Sequence, residues 1–523
     1  MGLPRLLSCA LAAGALLSCG APDPFAQGAQ EIRPDQPGIG PPAFDATERV
    51  ERFDSPGGTF RIHYTRAGRN AVPAVDANGN MVPDYVEETA GMYDRVLAFY
   101  RDMRGFRAPP DDLAVRGGNG GDARFDVYLV DFAGRADGAF RREECDPAAS
   151  VTCPGYMLQE NDFVGYPYAS TLAGTTVLSS HEFFHAVQAG YDARRGPVLE
   201  EATAVWATEQ FDPTLRDFEG FVPGYLSRPD RSLDQVLSGP VDAFTYGAAI
   251  FFQFLTERHD ARVVQRLWAA CGMDDGSTGW LDVLDGVLRR DYASSFAAEY
   301  AEFVVWNLYT GARANPRRAY ANGASYPLVT TTRAALPFSD NQVRLFYAAT
   351  RYYTAVPGDR GALAVALVPM PDAPADALDG VQVRVAVRRG NVVDEPRRLT
   401  DLTGGTETVD VTGATELIVA LTNVRTVGPS RTPGVCIGTA AEVAACREML
   451  APGSTDAGTA DAAPDVDVPA ADVPVADAGA DASVAPAPAG GCGCSTPGPA
   501  RVRGVGALAC LAALAMRRRV RRR

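Results

Sequence analysis

The sequence predicts an α+β protein: a mostly helical unit carrying a small N-terminal sheet, followed by an antiparallel β-sandwich. Three observations lead there. Between about residues 172 and 310 the chain reads as mostly helical. Ahead of that stretch, "TFRIHYT" (59–65) and "RFDVYLVDF" (124–132) show the alternation and β-branched content of strands. From about 342 to 450 the pattern changes to short alternating runs, "GALAVALVPM", "VQVRVAVRRG", "TETVDVTG" and "ELIVALTNV", separated by Gly, Pro and Asp. That spacing is typical of a sandwich of roughly 100 residues.

Taken in order, residues 28–57 are rich in Pro and Gly and read as irregular. "PDYVEETAGMYDRVLAFYRDM" (83–103) sets Val86, Met92, Val96, Leu97 and Tyr100 at helical spacing. "RFDVYLVDF" is either an edge strand able to align an extended peptide or an interior strand of the sheet. "TLAGTTVLSS" (171–180) can enter a helix that Gly190 ends. Expected boundaries are an export signal (1–27), an N-terminal segment (28–110), a helical domain (111–335) and the sandwich (336–450). A stalk (451–491) and a C-terminal tag (492–523) complete the chain.

The net charge of −15 over 523 residues excludes nucleic acid as the natural partner, because phosphate binding needs basic surface. Every basic side chain apart from histidine is Arg, which says little about function. Setting aside the terminal Cys9, Cys19, Cys492, Cys494 and Cys510 leaves five cysteines. Cys145 and Cys153 bracket one short loop, Cys436 and Cys446 another. Two local disulfides are the natural reading in an oxidising compartment, with Cys271 left as a buried thiol.

Both termini read as address labels. "MGLPRLLSCALAAGALLSCG" has the Arg, apolar run and small residues of a secretory signal. Within it, Leu16-Leu17-Ser18-Cys19 resembles a bacterial lipobox, which implies acylation at Cys19; ordinary cleavage a few residues later is the alternative. Residues 451–491 are dominated by Ala, Pro, Asp, Val and Gly, with seven Asp and no Arg, and read as an extended solvated stalk. The end combines "CGCS", an apolar stretch from Val505 to Met516 and "RRRVRRR". It resembles the C-terminal sorting tag of myxobacterial surface proteins, which implies processing near the Cys motif and display at the cell surface. A plain tail anchor is the alternative, and either places the body outside the cytoplasm, tied to the membrane by its ends.

The chain has four histidines, His63, His181, His185 and His259, and two of them share "HEFFH" (181–185). On a helix, i and i+4 lie on one face with Cβ atoms about 5–6 Å apart, close enough for both imidazoles to reach one Zn²⁺. Glu182 projects beside them, where it can take a proton from a water activated by the metal. The metzincin pattern would continue with Gly at 188 and His at 191, and here those positions are Gln188 and Tyr191. The next candidate ligands are the carboxylates of "VLEEATAVWATEQ" (198–210). This stretch resembles the second helix of gluzincin metallopeptidases, and Glu201-Ala202-Thr203-Ala204-Val205-Trp206 matches that family's order, with Ala202 where Gly is usual. The resemblance implies Glu201 as third ligand, with neighbouring Glu200 the competing choice and Glu209 a partner that orients a ligand. Downstream, "FTYGAAIFFQFLTERH" resembles the Tyr-Gly stretch of related peptidases and implies Tyr246 as a second electrophile; core packing is the other reading of Tyr246. His259 reads as a helix cap.

"DANGNMVPDYVE" (76–87) places Asp76, Asn78, Asn80, Asp84 and Glu87 at positions 1, 3, 5, 9 and 12 of an EF-hand-style loop, with the Val82 carbonyl at 7. Met81 stands where the sharp turn favours Gly, and Pro83 follows the carbonyl position. Structural Ca²⁺ is one expectation, and a metal-free polar turn ahead of a helix the other. Over residues 58–310 the calcium-like loop, HEFFH and EEATAVW together resemble metallopeptidases inferred in myxobacteria and related secreted bacterial proteins. The resemblance implies a zincin-like catalytic domain, Zn²⁺ as cofactor and a protein or peptide substrate. A non-catalytic, metal-stabilised surface binding or adhesion protein uses the same residues and stays open. Oligomeric state has no signal in the sequence.

Overall fold

The computed structural model describes residues 33–36, 42–113, 115, 119–143, 145, 152–235, 241–370 and 376–451. The export signal, the Cys19 acylation site, all but the first residue of the stalk and the C-terminal tag lie outside the described residues.

The protein is a mixed α/β structure. Five strands, β1 (Glu51–Asp54), β2 (Phe60–Tyr64), β3 (Phe125–Val130), β4 (Gly138–Arg142) and β5 (Gly155–Glu160), form a sheet ordered β1-β2-β3-β5-β4. β2, β3 and β5 run parallel, whereas β4 pairs antiparallel to β5 and ends the sheet. "RFDVYLVDF" is thus an interior strand, and its near-continuous burial explains its apolar run. The edges are β1 and β4, the latter a segment with no clear alternation in the sequence. The expected boundary at 110 does not divide the molecule, because β2 pairs with β3 and one core runs from Phe60 through Tyr326.

Helices pack against this sheet and against one another. α1 (Asp84–Ala98) and α2 (Thr171–Ala189) lie against it. α3 (Pro197–Phe211), α4 (Asp217–Leu226), α5 (Ala243–Gly247), α6 (Ala249–Arg258), α7 (Arg262–Cys271), α8 (Trp280–Tyr292) and α9 (Phe296–Trp306) complete the unit. The Ser170 side chain caps α2 by accepting from Ala173 N. Gly196, at φ 85°, turns the chain into α3, whose first residue is Pro197. α2 is buried on almost every side, since α1, α3, β4 and β5 all touch it. Two glycines permit the close approaches that shape the site. A Cβ on Gly138 would lie 2.1 Å from Leu178 Cδ1, so β4 can rest directly on α2. A Cβ on Gly247 would lie 2.4 Å from Tyr225 N, so α5 can rest on α4.

Ten further strands make the sandwich: β6 (Thr332–Ala334), β7 (Phe338–Asp340), β8 (Ala349–Ala355), β9 (Ala362–Val368), β10 (Val381–Arg389), β11 (Val392–Val393), β12 (Arg397–Arg398), β13 (Thr408–Asp410), β14 (Glu416–Asn423) and β15 (Gly434–Gly438). One sheet is ordered β11-β10-β14-β8-β6 with β12 also on β10, the other β13-β9-β15-β7. Pairing is antiparallel except between β6 and β8. The sandwich begins at Thr332, just before the expected 336. It ends on a helix, α10 (Ala440–Leu450), rather than a strand, because Thr439 and Glu442 form a capping box there. Leu417, Val419 and Leu421 of β14 face the sandwich core, while Ile418 and Ala420 face the helical unit.

The disulfides are Cys145–Cys153 and Cys436–Cys446, compatible with an extracellular protein, and Cys271 is a buried free thiol. Among the described residues no helix is long and apolar enough to cross a membrane.

Candidate metal centre

HEFFH occupies the second half of α2, and EEATAVW opens the second turn of α3, which packs alongside. The crossing brings His181, His185 and Glu201 together, with one potential ligand atom from each within 4.8 Å of the others. Glu201 Oε2 lies 3.2 Å from His181 Nε2, and Glu201 Oε1 lies 3.7 Å from His185 Nε2. Glu200, one residue earlier and about 100° around the helix, is outside this set. Its backbone carbonyl accepts from Gln188 Nε2.

The donor set fits a metal ion. His185 Nε2 and Glu201 Oε1 are buried and have no hydrogen-bond partner among the described residues. Buried polar atoms are normally paired, so two converging on one point call for a cation. Two imidazoles and a carboxylate are also a known catalytic zinc donor set. Electrostatics agree: burial alone would push the His185 imidazole down, but the Glu201 carboxylate beside it lifts it to about 10. Conversely burial would raise Glu201, yet the two imidazoles hold it well below the ordinary carboxylate range. Without a metal, a proton occupies part of the role of the cation.

Glu182 is fully buried, and the Phe140 N–H of β4 donates to its Oε2 at 3.1 Å. Its Oε1 has no partner among the described residues. Tyr246 stands at the side of the site, its ring centroid 6.3 Å from that of His181 and 5.2 Å from that of Phe221 on α4. Glu209, expected to orient a ligand, has no hydrogen bond or ion pair with His181, His185 or Glu201 among the described residues. That task falls to Gln188, whose Oε1 accepts from His185 Nδ1 at 2.8 Å. Gln188 is held in turn by donating to Glu200 O and Thr203 Oγ1.

A second residue missed in the sequence is Asp137, just before β4. It is buried, accepts from the Tyr168 hydroxyl, and has Oδ1 unpartnered among the described residues. Burial lifts its carboxyl to about 6 against the Tyr168 hydrogen bond, with the charge of Glu182 adding to the rise. Only an aspartate ahead of the short "GAFRR" run could have signalled it. The other two histidines lie elsewhere: His63 pairs with Asp126 at 2.6 Å, and His259 with Glu299 at 3.2 Å rather than only capping a helix.

The loop at 76–87 is held by hydrogen bonds among its own polar groups. Met81 adopts φ 69°, the left-handed conformation that the sixth position demands, without being glycine. Glu87, at the twelfth position, accepts from Asn78 Nδ2 at 2.8 Å and Asn80 Nδ2 at 2.7 Å. Asp76 accepts from the N–H groups of Gly79, Asn80 and Met81. Asp84 accepts from Ala77 N, and the Arg66 guanidinium donates to the Met81 carbonyl. The Val82 N–H donates to Asn80 Oδ1. α1 follows at once.

The fold and site thus define a mixed α/β protein with a buried His-His-Glu set able to hold a metal ion and a glutamate beside it. No family model matches the chain, and no curated protein matches it. Among solved structures it is similar to the crystal structure of Legionella pneumophila aminopeptidase A in complex with aspartic acid, at 10% identity and a TM-score of 0.30. The match covers 73% of this chain and 36% of that one, so the chain spans about a third of that protein's length. A likeness this distant says nothing about activity.

Proposed function

We propose that the protein is a zinc-dependent metallopeptidase with a zincin-like catalytic domain. In this reading it is exported and held at the cell surface by its terminal segments. The observation that carries it is the pair of oxygens on Glu182: Oε2 is fixed by the β4 backbone, while Oε1 is left unpartnered beside the His-His-Glu set. A purely structural metal site has no use for such a group.

His181, His185 and Glu201 would hold the zinc. When bound, the metal supplies a Lewis acid that polarises a carbonyl and acidifies water. Glu182 Oε1 takes a proton from the attacking water and returns it to the leaving amine. Phe140 N keeps the other oxygen from rotating away. Asp137 and Tyr168 hold the chain where β4 begins. β4 pairs on one side only, so its other side suits an extended peptide running along the site. Tyr246, whose ring centroid lies 6.3 Å from that of His181, would stabilise the developing oxyanion through its hydroxyl. The 76–87 loop would bind a structural Ca²⁺.

The test incubates the zinc-loaded protein and its Glu182→Gln variant with a diverse peptide library and reads cleavage by mass spectrometry. Cuts made by the parent should fall by roughly 10²–10⁴-fold in the variant, with zinc content unchanged. Absence of cuts from folded, zinc-loaded parent would favour the surface-binding reading.

A further inference from the structure

We infer that the protein binds a free α-amino acid with a small aliphatic side chain, valine or leucine, in a cavity on the far side of α2 from the metal centre. The site is separate from the His-His-Glu set, and the inference does not depend on the peptidase reading.

The cavity, of about 70 Å³, lies where the first residues of β2 and β3 meet the end of α1 and one side of α2. Its apolar wall is Phe60, Phe125, Phe183 and Leu97. The three rings pack edge to face, with centroids 5.2 Å apart for Phe60 and Phe183, 5.2 Å for Phe125 and Phe183, and 5.8 Å for Phe60 and Phe125. Phe183 follows His181 by two residues, about 200° around the helix. That rotation sets the cavity behind the metal ligands rather than beside them. Ala108 and Ala123 belong to the lining and are exposed, so the cavity opens to solvent.

Asp112 and Arg124 share this lining, and each leaves one buried atom without a hydrogen-bond partner. Asp112 is 4% exposed; its Oδ2 accepts from Arg33 Nη2, whereas Oδ1 is unpartnered. Burial lifts its carboxyl to about 6 against the pull of Arg33, so that guanidinium does not fully compensate it. Arg124 donates through Nη1 to Asp122 and sets Nη2 3.5 Å from Asp54 Oδ2, whereas Nε is unpartnered. A buried acceptor and a buried donor left open in one apolar cavity are both costly. A ligand that brings a donor and an acceptor beside an apolar group removes both costs.

The chemistry of the open pair identifies the ligand. An ammonium donates to Asp112 Oδ1 and a carboxylate accepts from Arg124 Nε, and an α-amino acid carries both groups on one carbon. The volume sets its side chain. A cavity of about 150 Å³ admits benzene, so one about half that size takes a branched aliphatic group and turns away a phenyl ring. Water alone would satisfy the two polar atoms but gain nothing from the aromatic wall.

The experiment measures binding, so that it does not depend on turnover. The full-length, zinc-loaded protein is titrated by calorimetry with leucine, valine, phenylalanine, isovalerate, which lacks the ammonium, and isopentylamine, which lacks the carboxylate. Leucine and valine should bind saturably at one site, about tenfold more tightly than the other three. Arg124→Gln, at a partly exposed side chain, should weaken leucine about tenfold and remove its margin over isopentylamine. Leu97→Phe should abolish uptake by filling the cavity; if that variant does not fold, Arg124→Gln decides alone. Absence of saturable leucine binding would overturn the inference and leave water as the occupant. Equal binding of leucine, isovalerate and isopentylamine would overturn it too. So would leucine binding undiminished in Arg124→Gln, which would place the amino acid at the metal centre or elsewhere.

Discussion

His185 Nδ1 donates to Gln188 Oε1 at 2.8 Å, one turn along the same helix. This leaves Nε2 as the ring nitrogen that faces Glu201. The residue that breaks the metzincin pattern is the one that fixes the tautomer of a ligand.

Gln188→Ala should therefore weaken zinc binding about 10–100-fold while the helix persists. Competition against a chromophoric chelator measures this, and an unchanged affinity would show that packing alone orients the ring.

Metal uptake should release protons. With His185 lifted to about 10 beside Glu201, a cation arriving at neutral pH displaces a proton. Apparent zinc affinity should rise about tenfold per pH unit between pH 6 and 8, where one proton is exchanged. Calorimetry in buffers of different ionisation enthalpy should return about one proton per zinc. A flat affinity would contradict the protonated pair.

Glu209 offers a stability test whose sign is fixed. Its carboxyl is lifted from the usual range to about 7, so the folded state holds a proton that the unfolded chain has released. Stability from this group is full below about pH 4.5 and declines as pH rises through 7. Glu209→Gln should raise the melting temperature relative to the parent more at pH 8 than at pH 5, by about 2 °C or more. An equal difference at both pH values would mean that the carboxylate is relieved by an ion.

If the 76–87 loop holds Ca²⁺, adding calcium should raise the melting temperature of the parent and leave Glu87→Gln unmoved. No response in either would assign the loop its other role, a self-bonded turn ahead of α1.

Much of the metal centre was legible because helix geometry makes i, i+4 spacing a direct statement about proximity. The choice between Glu200 and Glu201 was not, since adjacent helical residues differ only in rotation and the direction of the bundle is a tertiary fact. β4 escaped notice for a related reason. It is five residues long and begins at Gly138, whose missing side chain makes room for Leu178, and such a contact leaves no alternating pattern. Gln188 and Asp137 act through long-range or side-chain geometry that composition does not carry. In the sandwich, α10 was readable: Thr439 and Glu442 have the spacing of a capping box, masked by the strands before it.

The strands β8 and β14 show how far the two parts depend on each other. The Tyr352 hydroxyl donates to Val304 O at 2.9 Å, and the Tyr300 hydroxyl of α9 donates to Ala348 O at 2.7 Å. Ile418 and Ala420 supply wall for the helical core. A sandwich used this way is not a module that evolution can exchange or a protease can trim while the helical half survives. Cleavage between residues 326 and 349 should release neither part intact, and heating should melt both in a single cooperative transition.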